Sequence, residues 1–204
     1  ENFAIHVFCG LIVVHFFTET FNAGTRSIVR NKALIRKMAL PKEMFPVASM
    51  MVSLFHVAPQ VVILLVAVLI IGWAPSGLGI AAFFLALGII MALGTGLALM
   101  FSVANVYFRD FASVVNILTN FVRFGVPMIY PYSIVSERFG AAAEYYLWNP
   151  LSNAVLLVQR AFWVGTTEDP AATAATELPD NLIGRGLLML VISIVLLVVA
   201  QFVF

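Results

Sequence analysis

Charge is the scarcest property of this sequence. Only 10% of its 204 residues are Asp, Glu, Lys or Arg, where a soluble domain carries about a quarter. A chain so poor in charge cannot cover a water-facing surface, so lipid must be the solvent for most of it. Cysteine is nearly absent as well. Cys9 is the single one and sits in an apolar run, which excludes an intrachain disulfide and suits a small buried hydrophobe. No Gly-x-x-x-x-Gly-Lys-Ser/Thr loop is present, since Lys32, Lys37 and Lys42 follow Asn, Arg and Pro. The chain therefore lacks that phosphate-binding loop for hydrolysing ATP itself. No cysteine–histidine metal pattern occurs, no nucleophile–base constellation is recognisable, and nothing calls for nucleic acid. A cleavable signal-peptide pattern is missing too.

What is abundant is apolar sequence: 62% hydrophobic residues, with a mean hydropathy of +1.04. A bilayer core of roughly 30 Å needs about 20 helical residues. Five stretches meet that length, at about 2–22, 45–71, 78–104, 112–134 and 181–204. Backbone groups in lipid must pair within their own segment, and strand-like alternation is absent, so these are helices. The expected fold class is all-α: a single polytopic transmembrane bundle over 1–204, with short external re-entrant helices. The chain opens at Glu1 and ends at Phe204 inside apolar runs. That, with the odd number of spans, suggests a portion of a longer protein that lacks a first helix.

Of eleven basic residues, seven (Arg26, Arg30, Lys32, Arg36, Lys37, Lys42, Arg109) fall on one side of the spans. Arg138, Arg160 and Arg185 fall on the other, and Arg123 lies within a span. The excess of positive charge places the first side in the cytoplasm. On the opposite side, Asn149-Pro150 sets a capping residue before a proline at the first helical position. Apolar residues follow at helical spacing to Phe162. About 13 residues reach only some 20 Å, too short to span. Residues 139–148 suit a partner helix, while Thr166–Glu177, polar and alanine-rich, reads as a flexible external loop.

Three places could carry function. In the fourth span Asn116, Asn120 and Arg123 fall at i, i+4 and i+7, one polar stripe on an apolar helix. An arginine near mid-depth costs at least roughly 2.5–3.5 kcal/mol and should face protein or water. The stripe suits either a helix contact or the wall of a polar pathway. Gly125-Val126-Pro127 should kink or break the helix just beyond. On the cytoplasmic side, Asn31 can cap a short helix, Lys32–Met38, whose Leu34 and Ile35 would be exposed without a partner. Basic flanks alone would also satisfy topology. His15 and Glu19 are four apart on one face, and an interhelical hydrogen bond is their simplest role. His6 and His56 look isolated. Small residues in the third span (Gly88, Ala92, Gly94, Gly96, Ala98) permit close helix approach.

Four motifs stand in an order that resembles ABC-2-type permeases: Gly24-Thr-Arg-Ser-Ile-Val-Arg-Asn31-Lys-Ala-Leu-Ile-Arg-Lys37 with Pro41 and Phe45-Pro46; Val106-Tyr-Phe-Arg-Asp-Phe111; Pro127-Met-Ile-Tyr-Pro131; and Trp148-Asn-Pro-Leu151 leading to Arg160. The chain is similar to the Wzm/TagG branch, membrane subunits that export lipid-linked polysaccharide. The resemblance implies six helices per subunit, of which the present five would be the second to sixth, a homodimer in the bacterial inner membrane, and two cytoplasmic ATPase subunits. ATP and Mg²⁺ would be bound by the ATPase, with no cofactor in this chain. Asn31, Lys32, Leu34, Ile35, Arg36 and Lys37 match the coupling helix. Arg26, Arg30, Arg109 and Asp110 would form the cytoplasmic entrance, and Asn149, Pro150 and Arg160 belong to the external gate helices (139–162). The glycan, carried on a polyprenyl diphosphate, would pass between two copies along Phe16, Phe17, Asn116, Asn120, Arg123, Tyr130 and Tyr132. The rivals are an ABC-2 permease for a drug or small lipid, and an ion-coupled transporter or channel.

Overall fold

The computed structural model describes residues 2–37, 41–108 and 110–204, without the side chain at 141. Ten α-helices occur among the described residues: α1 (Phe3–Arg30), α2 (Lys32–Lys37), α3 (Met44–Ile70), α4 (Gly77–Tyr107), α5 (Phe111–Val122), α6 (Tyr132–Phe139), α7 (Ala143–Tyr146), α8 (Pro150–Phe162), α9 (Pro170–Glu177) and α10 (Leu182–Val203). Helices α1, α3, α4 and α10 are long and apolar enough to cross a membrane. The protein is an all-α, multi-pass membrane bundle.

Helix α4 is the hub, packed by α1 on one side and α10 on another, with α3 closing against α1 and α8 seated between α1, α4 and α10. Its small residues make this possible. A Cβ on Gly96 would stand 3.1 Å from the Leu197 backbone of α10, so only glycine lets the two helices approach so closely. Helix α1 overruns its expected end at 22 and stays helical to Arg30. Arg26 and Arg30 therefore ride on a helix that projects beyond the apolar layer, rather than on a loop.

Three expectations need correction. The stretch 112–134 is not one helix. Helix α5 stops at Val122 with Arg123 as its C-cap residue, and turns follow to Tyr130. Pro127 explains the position, because its ring clashes with a helical carbonyl four residues earlier, at Arg123. The freed backbone is held by α8: Gln159 Nε2 donates to Pro127 O at 2.8 Å, and Ser152 Oγ to Gly125 O at 3.5 Å. Non-helical backbone at membrane depth is tolerated only with such protein partners. Gly10 adds room, since a Cβ there would lie 2.9 Å from the Met128 backbone. Second, residues 139–148 form no continuous helix. Gly140, at φ +49°, ends α6 and separates it from the short α7. Third, Thr166–Glu177 is not a loop throughout. Asp169 Oδ1 accepts from the backbone N–H groups of Ala171 and Ala172, both at 3.1 Å, with Pro170 at the first turn of α9. Asp-Pro here does what Asn149-Pro150 does for α8.

Candidate functional site

Among the uncovered residues of α1, six recur every three or four positions: Leu11, His15, Glu19, Asn22, Arg26 and Arg30. That spacing draws one stripe along a helix. The stripe lies in the gap between α3 and α5, and both neighbours add polar groups to it. Across α3, Gln60 Nε2 meets His15 Nδ1 at 2.9 Å and His56 Nδ1 meets Glu19 Oε1 at 2.5 Å. The interhelical bond expected of His15 and Glu19 is present, whereas His56 is not isolated. Across α5, Asn22 Nδ2 donates to Thr119 Oγ1 at 3.2 Å.

Helix α5 runs antiparallel to α1, with Thr119 opposite Asn22 and Met128 against Gly10. Its covered face is Val115, Thr119 and Val122. Asn116, Asn120 and Arg123 each come one residue later, about 100° further round the helix. In an antiparallel neighbour that turn carries them to the flank where His15 and Glu19 meet α3. All three are exposed on the single chain. The expected polar stripe thus exists, but it points away from the bundle of its own chain. Arg123 takes no partner among the described residues, although it sits about 18 Å along α5 from that helix's first residue.

One polar face results. It runs from Arg30 and Arg26 to Glu19, His15, His56 and Gln60, flanked by Asn116, Asn120 and Arg123. Glu19 Oε2, Asn22 Oδ1 and Gln60 Oε1 are buried without a hydrogen-bond partner. Such a surface cannot rest against acyl chains. Its amides can bond hydroxyl groups, and its guanidinium groups can hold an anion such as a phosphate bidentately.

The other sequence candidates divide. Phe16 and Phe17 are 0% and 4% exposed, packed inside the core, so they line no route and that expectation is corrected. Tyr132 is buried as well. Tyr130 is half-buried, and its hydroxyl donates to Phe124 O at 3.1 Å and meets the Tyr146 hydroxyl at 3.0 Å. Burial, then the bond to Tyr130, pushes the Tyr146 phenol far above its ordinary range, so the pair is a neutral latch between α7 and the end of α5. Asn149 caps α8 by accepting from Leu151 N at 3.0 Å, with Pro150 at the first turn, as expected. Arg160 is half-buried and, with Pro150 at the first turn, departs from an otherwise sealed α8. Asp110 is exposed beside α5, while Arg109 lies outside the described residues.

Beyond α1, α2 covers Lys32–Lys37, with no residue buried and Leu34 44% exposed. Met38, the expected last residue of this helix, lies outside the described residues. Asn31 does not cap α2 through its side chain. Its Nδ2 donates to Ser27 O at 2.8 Å and closes α1, while its backbone carbonyl accepts from Leu34 and Ile35. Sequence reasoning missed Asn105. Buried at the end of α4, it donates to Thr25 O and accepts from Ala112 N, both at 3.2 Å, and so ties α1, α4 and α5 together beside Arg26 and Arg30.

The chain can now be set beside known proteins. It is 23% identical over 166 residues to an O-antigen export system permease of Klebsiella pneumoniae, covering 81% of this chain and 62% of the relative. A permease of the same name in Myxococcus xanthus is 23% identical over 162 residues, covering 79% and 62%. The chain resembles O-antigen export permeases. The likeness to ABC-2-type, Wzm-like export permeases seen in the four motifs is borne out. No protein-family model matches the chain. It spans about 62% of the length of these curated relatives.

Proposed function

We propose that this chain is the transmembrane permease subunit of an ABC exporter in the bacterial inner membrane. Its cargo is a polysaccharide on a polyprenyl diphosphate, of O-antigen, teichoic acid or galactan type, and a separate cytoplasmic subunit hydrolyses the ATP. The carrying observation is the single polar face on α1, α3 and α5. Two copies apposed by that face would enclose a route lined with amides and guanidinium groups, shielding Arg123 from lipid. Arg26, Arg30, Arg109 and Asp110 would form the entrance that meets the diphosphate, with Arg123 at mid-depth. Closure of the ATPase pair against α2 would shift the long helices as rigid bodies and open the route.

The reading is tested in vesicles holding the full-length protein, its ATPase and a lipid-linked glycan. ATP-dependent glycan translocation is expected; transport of a drug or a small lipid without glycan would establish the rival cargo instead. Activity without any ATPase would establish an ion-coupled transporter. The docking role of α2 has its own check. Leu34→Asp is expected to abolish co-purification of the ATPase while membrane insertion persists, and retained association would refute the docking role.

A further inference from the structure

Where α1 gives way to α2, a cavity of about 290 Å³ lies between α2, the last turns of α4 and the end of α10. It is just below the usual size of a small-molecule site, room for a headgroup rather than for a whole lipid. Lys32 and Arg36 of α2 line it together with Lys42, and no acidic residue does so among the described residues. The rest of its wall is apolar, with Ile28 of α1, Val103 of α4 and Phe204 at the end of α10. Helices α1, α4 and α10 are three of the four described helices long and apolar enough to cross a membrane. The cavity therefore stands at one end of the spanning bundle.

Basic residues beside spans satisfy topology wherever they point, but here three converge on one recess. Lys32 and Arg36 are one turn apart on α2 and share a face, where like charges repel. None of the three cations has a hydrogen bond or an ion pair among the described residues, and an anion set between them removes the repulsion. That anion has an apolar part. Val106 lines the cavity and is itself exposed, as are Phe202 and Val203 beside Phe204. Apolar surface thus continues from the recess onto the flanks of α4 and α10, where acyl chains lie. A soluble anion would match the three cations and leave this wall unused.

The cavity is also separate from the candidate route. Ile28 is two residues from Arg26 and from Arg30, about 200° round α1 from each, and no described residue of α5 lines the recess. On α2, Leu34 is likewise about 200° from Lys32 and from Arg36. We propose that this cavity binds an anionic phospholipid of the adjoining leaflet. Its phosphate lies among Lys32, Arg36 and Lys42, and its chains run along α4 and α10. Basic pockets between spanning helices suit such headgroups. The lipid braces α2 from behind and leaves Leu34 facing outward. The site does not depend on the exporter reading, and its test measures no transport.

Full-length protein in detergent is titrated with phosphatidylglycerol or phosphatidylcholine, and bound lipid is counted by native mass spectrometry. At least a tenfold preference for phosphatidylglycerol is expected. Each basic residue at an anionic headgroup contributes roughly fivefold, so Arg36→Gln should lower the preference about fivefold. Lys32→Gln, Arg36→Gln and Lys42→Gln together should bring it near unity. Arg138→Gln removes one charge elsewhere and should change nothing. Val106→Trp keeps every charge, alters an exposed position that the fold tolerates, and should displace the lipid by filling the recess. No preference, a preference lost equally in Arg138→Gln, or one untouched by Val106→Trp would each overturn the proposal. So would binding, sensitive to Val106→Trp, of inorganic phosphate, a hexaglutamate peptide or polyprenyl diphosphate more tightly than phosphatidylglycerol. Those outcomes would assign the cavity to a soluble anion, a protein segment or the cargo.

Discussion

Helix α8 and the α1–α3–α5 face both carry polar side chains within the depth of the bundle, and they use them in opposite ways. On α8, Ser152 and Gln159 donate to carbonyls freed where α5 breaks, and Asn153 Nδ2 donates to Leu147 O at 2.6 Å. Those groups complete a backbone that lipid could not satisfy. On the open face Asn116, Asn120 and Arg123 are exposed, and their side chains make no hydrogen bond among the described residues, whereas Ser152, Asn153 and Gln159 are all buried. A polar residue in a membrane domain therefore identifies a working surface only when the fold itself does not use it. By that criterion α8 is scaffold and the α1–α3–α5 face is the candidate route.

The sharpest way to break the comparison is to remove a scaffold amide. Gln159→Leu leaves Pro127 O buried and unpaired, which should destabilise the protein by about 1–3 kcal/mol. The effect should appear as a clear drop in the thermal midpoint of the purified protein. An unchanged midpoint would mean that α8 does not hold the break. The open face should respond in the other currency. Arg123→Ala is expected to cut glycan export at least tenfold, about 1.4 kcal/mol, with little change in the thermal midpoint. If Arg123→Ala destabilised as Gln159→Leu does and spared transport at equal protein level, the two regions would not differ in kind.

Much of this contrast was legible in the residues, and the rest was hidden for identifiable reasons. The stripe at 116, 120 and 123 shows in sequence because one helix sets its spacing. Its outward direction does not, since that depends on which face α1 covers. The pairs His15–Gln60 and Glu19–His56 join positions 45 and 37 apart, and no periodicity predicts them. Phe16 and Phe17 misled because an aromatic suits a sugar and a core equally well, and only packing decides. Pro127 signalled the break in α5, but its steric effect acts four residues back, so Arg123 ends the helix instead of continuing it. Helix α9 was readable in principle. Asp169-Pro170 is the same start signal as Asn149-Pro150, obscured by the alanines and threonines after it, which carry no apolar stripe.

The smallest expected effect probes the seam between the two regions. Glu19 and His56 face each other across α1 and α3, with 25% and 52% of their side chains exposed. An interhelical hydrogen bond in a membrane protein contributes about 0.6 kcal/mol on average, and exposure screens the pair further. His56→Ala should therefore cost no more than about that average in thermal stability, well below Gln159→Leu. It also leaves Glu19 with only His15, 4.0 Å away, and adds a carboxylate without a close partner to the face that would meet a diphosphate. Like charges repel, so export should fall by more than the stability change predicts, and Glu19→Gln in the same chain should restore it. Rescue by the double variant would assign the Glu19–His56 pair to the route. A stability loss as large as that of Gln159→Leu, without rescue, would return it to the scaffold.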